Sequence, residues 1–135
     1  MIQGLRTVIY PVTDLAAGKA WYNQVLGAKP YFDEPFYVGY SVGGFELGLL
    51  LRLSNQADKS EKTAKTTKLC PQGPVTYWGV ADANAELARL ISLGAEEHES
   101  VADVGEDIKV ATVIDPFGNV FGIIQNPTFK LQDVR

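Results

Sequence analysis

A chain of 135 residues, 46% hydrophobic and 21% charged, is long enough for one compact domain with a real core and too short for two independent domains of usual size. Its formal net charge of -4 argues against non-specific nucleic-acid binding, which needs a clustered basic surface, and no apolar run approaches the roughly 18 residues of a membrane span. A single cysteine, Cys70, and a single histidine, His98, exclude an intramolecular disulfide, a cysteine-rich metal site and any Ser-His-Asp or Cys-His mechanism not built on His98.

The opening MIQGLRTVIYPV lacks a signal peptide's apolar core and small-residue cleavage site, so a cytoplasmic location is expected. Its strand ends in Val12-Thr13-Asp14, where the Asp14 carboxylate can accept from the free N–H groups of a first helical turn. Leu15, Tyr22, Val25 and Leu26 then share one helical face, and Gly27 suits the left-handed residue that closes a helix. Strand-like sequence follows at AKPYF (28–32), YVGYSV (37–42) and FELGLLLR (45–52). Residues 54–73 lack periodicity and read as a crossover with lid character; Lys59, Lys62, Lys65 and Lys68, diluted by Asp58 and Glu61, read as solvated chain.

The same layout then recurs. A strand ends in Val80-Ala81-Asp82, a helix carries Ala83, Leu87, Leu90 and Ile91 on one face, and Gly94 follows. Strands are expected at AEEHESV (95–101), IKVATVI (108–114) and VFGIIQ (120–125). The pattern predicts an α+β fold of two β-α-β-β-β repeats within one domain, 1–135. Repeat one covers about 4–53 and repeat two about 74–126, with a tail at 127–135.

VIYPVTDLAAGKAWYNQVLGA and DPFGNVFGIIQ, in this order and each in its own half-repeat, resemble the vicinal oxygen chelate superfamily. That superfamily includes glyoxalase, extradiol dioxygenases, fosfomycin-resistance enzymes and bleomycin-resistance proteins. The resemblance covers about residues 4–126 and implies a curled mixed sheet, each repeat forming half of a cup around a small-molecule pocket, and a homodimer. Metal-dependent members place His, Gln or Glu ligands on the first and last strand of each repeat. Carried over, the first-strand positions are Thr7 and Val75, seven residues before Asp14 and Asp82; the last-strand positions are Gly48 and Gly122, four residues after Gly44 and Gly118. None is a normal ligand for a divalent first-row metal, which favours imidazole, thiolate or carboxylate. The expectation is therefore no metal and no cofactor.

Strand alternation puts Thr7, Ile9 and Pro11 on the pocket face with Glu46, Gly48, Leu50 and Arg52. The second half adds Val75, Tyr77 and Gly79 with Val120, Gly122 and Ile124. Glycine at the ligand positions leaves room, and the aromatic stretch PYFDEPFYVGY (Phe32, Phe36, Tyr37, Tyr40) reads as a pocket rim. The candidate binding residues are Thr7, Ile9, Tyr37, Glu46, Gly48, Arg52, Tyr77 and Gly122: rings to stack on a flat ligand, Glu46 or Arg52 to orient its polar end. The blander reading has these side chains filling the cup. Trp21, Tyr22 and Trp78 are assigned to helix-on-sheet packing, and His98 to a surface or edge position. Three functions stay open: a metal-independent small-molecule binder of the bleomycin-resistance type, whose acidic balance slightly favours a cation; a lyase, isomerase or dioxygenase-type enzyme with a non-standard or metal-free site, Glu46 acting as base beside Tyr77; and a partner-binding module.

Overall fold

The computed structural model describes residues 1–52 and 74–129, so the expected crossover at 54–73, with Cys70 and its lysines, lies outside the described residues. The elements in order are β1 (Thr7–Val12), α1 (Leu15–Leu26), β2 (Phe32–Glu34), β3 (Tyr37–Val42), β4 (Phe45–Leu51), β5 (Tyr77–Gly79), α2 (Ala83–Ser92), β6 (Glu96–Asp103), β7 (Lys109–Ile114) and β8 (Val120–Gln125). They fall into a first unit, residues 7–74, and a second unit, residues 75–135 with 1–6. Each unit holds an open four-stranded mixed sheet, ordered β1-β4-β3-β2 in the first and β5-β8-β7-β6 in the second. In both, the first strand runs parallel to the last and the other pairings are antiparallel. The α+β class and the repeated β-α-β-β-β order are as expected from the sequence.

The helices begin where the aspartates stand. Asp14 Oδ1 accepts from the Ala17 N–H at 3.1 Å, and Asp82 Oδ1 accepts from the Ala85 N–H at 3.1 Å. Gln125 Oε1 accepts from the Ala83 N–H at 2.8 Å, a second cap on α2 supplied by the end of β8. Asp14→Ala and Asp82→Ala are each expected to cost about 1 kcal/mol, the Asp82 change less because Gln125 still satisfies one orphan donor; urea unfolding of the two variants checks the order. Gly27 closes α1 at φ 62, ψ 33, as expected. In the second helix the cap is Leu93 in a right-handed conformation and Gly94 follows at φ 113, with Ala95 N–H donating back to the Leu90 carbonyl at 3.0 Å.

In the first unit Gly18, Trp21, Tyr22 and Val25 of α1 are buried, so the packing stripe is centred one residue earlier than the sequence suggested. A Cβ on Gly18 would stand 3.1 Å from Val12 Cγ1, which explains a glycine at this close approach of helix to strand. The core beneath it is Tyr10, Val12, Val38, Tyr40, Leu47 and Leu49, the alternate residues of β1, β3 and β4. Trp21 and Tyr22 meet edge to face at 4.8 Å between centroids. In the second unit Ala83 and Leu90 of α2 are buried with Ala111, Val113, Phe121 and Ile123, whereas Ile91, expected on the same face, is exposed. Two strand boundaries also differ. β2 starts at Phe32, beyond Pro30, whose missing N–H cannot serve a ladder, and β6 runs to Asp103 with register shifts between Glu97 and Glu99 and between Glu99 and Ala102.

Candidate functional site

The face of the first sheet turned away from α1 carries Thr7, Ile9 and Pro11 of β1 with Glu46, Gly48 and Leu50 of β4, the shared face that alternation predicts. Thr7 pairs with Glu46, Ile9 with Gly48 and Pro11 with Leu50 across the parallel β1–β4 ladder. On the other side of β4, Ser41 pairs with Glu46, Gly39 with Gly48 and Tyr37 with Leu50. Residues paired directly opposite share a face, so β3 adds Tyr37, Gly39 and Ser41 to this surface. β2 adds Phe32, opposite Gly39.

Gly39 and Gly48 together form a bare patch of backbone, and two side chains lie across it. A Cβ on Gly48 would overlap the Tyr37 hydroxyl and stand 2.6 Å from its Cζ; a Cβ on Gly39 would meet Glu46 Oε2 at 3.2 Å and Tyr37 Cε2 at 3.3 Å. Glycine here lets a ring rest on the backbone. The expectation that Gly48 leaves open room is thus corrected: the phenol of Tyr37 takes that room. Its hydroxyl donates to Glu46 Oε2, and the Tyr31 hydroxyl donates to Glu46 Oε1, so both carboxylate oxygens are held by phenols. Phe32 and Tyr37 lie 5.9 Å apart between centroids, tilted at 59°.

The electrostatics follow from these bonds. The Tyr31 and then the Tyr37 hydroxyl hold the Glu46 carboxyl below its ordinary value of 4.5, because both stabilise the ionised form. Tyr37 is pushed up from 10.0 to about 12, chiefly by burial and then by its bond to the carboxylate. Tyr31 is raised chiefly by its bond to Glu46. The cluster is a fixed anion with two phenols that stay protonated.

Tyr31 was not singled out from the sequence. It precedes β2 and lies outside any strand alternation, although the interior Gly39 of YVGY was a readable sign of a close backbone approach. Tyr40, expected at the rim with Phe32, Phe36 and Tyr37, points to the opposite face, where it is 1% exposed and its hydroxyl donates to the Lys19 carbonyl at 3.1 Å. Arg52 lies just past the end of β4, its N–H donating to the Val12 carbonyl at 2.7 Å. Six residues of strand separate it from Glu46, about 20 Å of rise, so the two cannot orient one small polar group. A groove of about 430 Å³ between Leu15, Ala16 and Lys19 of α1 and Asp33, Pro35 and Val38 lies on the helix side of the sheet. Of its three charged residues, Lys19, Asp33 and Glu34, the first two pair with each other at 2.8 Å.

In the second sheet Tyr77 pairs with Gly122, and Gly122 with Thr112. A Cβ on Gly122 would stand 2.6 Å from the Thr76 carbonyl oxygen and 2.7 Å from Tyr77 Cδ1. A tyrosine ring therefore leans over this glycine too. Val75, the symmetric partner of Thr7, lies two residues before β5 and is half-buried. Thr112, 1% exposed, donates from its hydroxyl to Glu99 Oε1 at 2.9 Å and lies 3.0 Å from His98 Nδ1. The register shift beside His98 lets two successive residues of the edge strand reach one threonine.

The metal that metal-dependent relatives use does not suit these residues. At Gly48 and at Gly122 the space a ligand side chain would need holds tyrosine atoms, and at Gly122 a backbone carbonyl as well. Threonine and valine supply no substitute donor set. Among the described residues, no three His, Cys, Asp or Glu side chains are grouped so as to hold a metal ion, and no helix is long and apolar enough to cross a membrane.

Residues 7–124 match the glyoxalase-like domain family. No curated protein matches the chain. Among solved structures, a glyoxalase-related enzyme from Fulvimarina pelagi superposes with a TM-score of 0.70 at 20% identity, covering 96% of this chain and 92% of that one. A glyoxalase/bleomycin resistance protein/dioxygenase family enzyme from Burkholderia phytofirmans PsJN gives 0.64 at 20% identity, over 90% and 98%. Lactoylglutathione lyase from Agrobacterium tumefaciens gives 0.65 at 17% identity, over 96% and 100%. At these identities the likeness is one of fold.

Proposed function

This chain belongs to the glyoxalase-like family, and we propose that within it the protein is a metal-independent binder of an aromatic or amphipathic small molecule. The observation that carries the reading is the phenol of Tyr37, seated over Gly48 and hydrogen-bonded to Glu46. At the position where a metal-dependent relative would present a ligand, this chain presents the edge of an aromatic surface. Thr7, Ile9, Tyr37, Glu46 and Gly48 form the ligand face in the first unit; Tyr77 and Gly122 offer a second ring-over-glycine surface in the other. Apolar and aromatic walls with a few polar groups suit a small-molecule site. The setting expected for it is a cytoplasmic homodimer with no cofactor.

A metal-free enzyme with Glu46 as general base is the weaker reading. An effective base has a pKa near the working pH, and two phenols hold this carboxyl in the opposite direction. The test is thermal unfolding of metal-stripped protein. Titration with Ni, Mn, Fe(II), Co and Zn salts is expected to give no saturable rise in midpoint. A panel of flat aromatic compounds is expected to contain at least one that does, since a ligand at a hundred times its Kd adds about 2.7 kcal/mol. A saturable rise with one metal, or a panel with nothing tighter than millimolar, sinks the proposal.

A further inference from the structure

We infer that the ligand of the first unit's face is an organic cation, a flat or compact group with a positive nitrogen, taken between the carboxylate of Glu46 and the rings of Tyr31, Phe32 and Tyr37. The inference rests on the small-molecule reading above and specifies its ligand class.

Charge complementarity comes first. An ionised carboxylate has about four lone-pair sites, and the two phenol hydroxyls occupy one on each oxygen. The remaining acceptor capacity has no protein cation to meet it: among the described residues, Lys19 pairs with Asp33 and Arg89 with Glu86, and no lysine or arginine pairs with Glu46. Both phenol protons point at Glu46, so neither phenol is left to donate to an anionic ligand. An anion there would face an uncompensated carboxylate.

The rings supply the second argument. Tyr31 is 64% exposed and Phe32 39% exposed. Phe32 and Tyr37, 5.9 Å apart and tilted at 59°, make two walls of a corner rather than a closed stack. A cation within about 6 Å of a ring centroid is attracted by the negative face of the ring, and most strongly where water is partly excluded. Gly39 and Gly48, which bring Tyr37 and Glu46 down onto the backbone, are the floor of that corner.

The experiment is isothermal titration calorimetry of the whole protein with N-methylquinolinium and with quinoline, at a pH where quinoline is neutral. The two probes share a ring system and differ in charge. Wild type is expected to bind the cation about tenfold tighter or more, a preference that falls with added salt. In Glu46→Gln the ratio is expected to approach one while quinoline binding persists, and in Tyr31→Phe the ratio is expected to shrink less. Salt-insensitive or equal binding of the two probes by wild type overturns the cation inference and leaves the small-molecule reading standing. Binding of neither probe also overturns it, and an empty aromatic panel in the thermal test then removes the broader reading as well. The salt arm decides the matter on wild type alone if the variants fold poorly.

Discussion

Gly122→Ala is expected to destabilise the protein by about 1–3 kcal/mol, and Gly48→Ala by clearly less, although the two glycines hold the same place in their repeats. The difference lies in what each new methyl meets. At Gly122 it would stand 2.6 Å from the Thr76 carbonyl oxygen, the same oxygen that accepts the Gly122 N–H at 3.0 Å. A backbone acceptor cannot step aside without disturbing the short β5–β8 ladder, which is only three residue pairs long. At Gly48 the methyl meets only the far end of the Tyr37 side chain, which can turn to another rotamer. Its cost is the net worth of one hydrogen bond to Glu46, toward the low end of about 0.5–1.5 kcal/mol because water competes at this open cluster. The entropy lost by the unfolded chain on replacing glycine offsets about 0.4–1 kcal/mol of it. Urea unfolding measures both. The Gly48 variant should keep its fold and lose ligand binding; equal destabilisation of the two would mean that Tyr37 is locked by more than its bond to Glu46.

Glu46→Gln should shift tyrosine ionisation and ligand binding together. Tyr31 owes most of its raised pKa to the bond with Glu46, so it should return furthest toward 10.0. Tyr37, raised to about 12 with burial as the largest cause, should fall only part of the way. Ultraviolet titration of tyrosinate in wild type and variant reads this as an earlier onset in the variant. The stability profile has a definite sign on each side. Because the folded Glu46 value is lowered, its contribution is present above the ordinary 4.5 and is lost as pH falls through the lowered value. Because the folded Tyr37 value is raised, its contribution is present below 10.0 and is lost as pH rises through about 12. The stability gap between wild type and Glu46→Gln should thus be level between those limits and close on both flanks. Its amplitude should be small, since solvent screens an exposed cluster. A gap that grows toward low pH would contradict the clamp.

Much of this architecture is written locally. Val-x-Asp before each helix and glycine after it mark the same ends twice, because capping is satisfied within a few residues of chain. That Thr7 and Ile9 share a face with Glu46 and Gly48 was readable for a similar reason, because side-chain alternation along a strand has a period of two; which residue pairs with which was not. The absence of metal-ligand chemistry at Thr7, Gly48, Val75 and Gly122 is likewise a matter of residue type alone.

What occupies the space those residues leave was decided only by the tertiary structure. Tyr37 covers Gly48 from a neighbouring strand, Tyr31 reaches Glu46 from irregular chain before β2, and a register shift lets His98 and Glu99 meet the same threonine. None of these follows from periodicity, because each depends on which rotamer fits a surface assembled from separated strands. A glycine in a sequence says that a side chain is missing. Whether the gap becomes a pocket or a seat for a distant ring depends on packing, and packing exists only once the strands have come together.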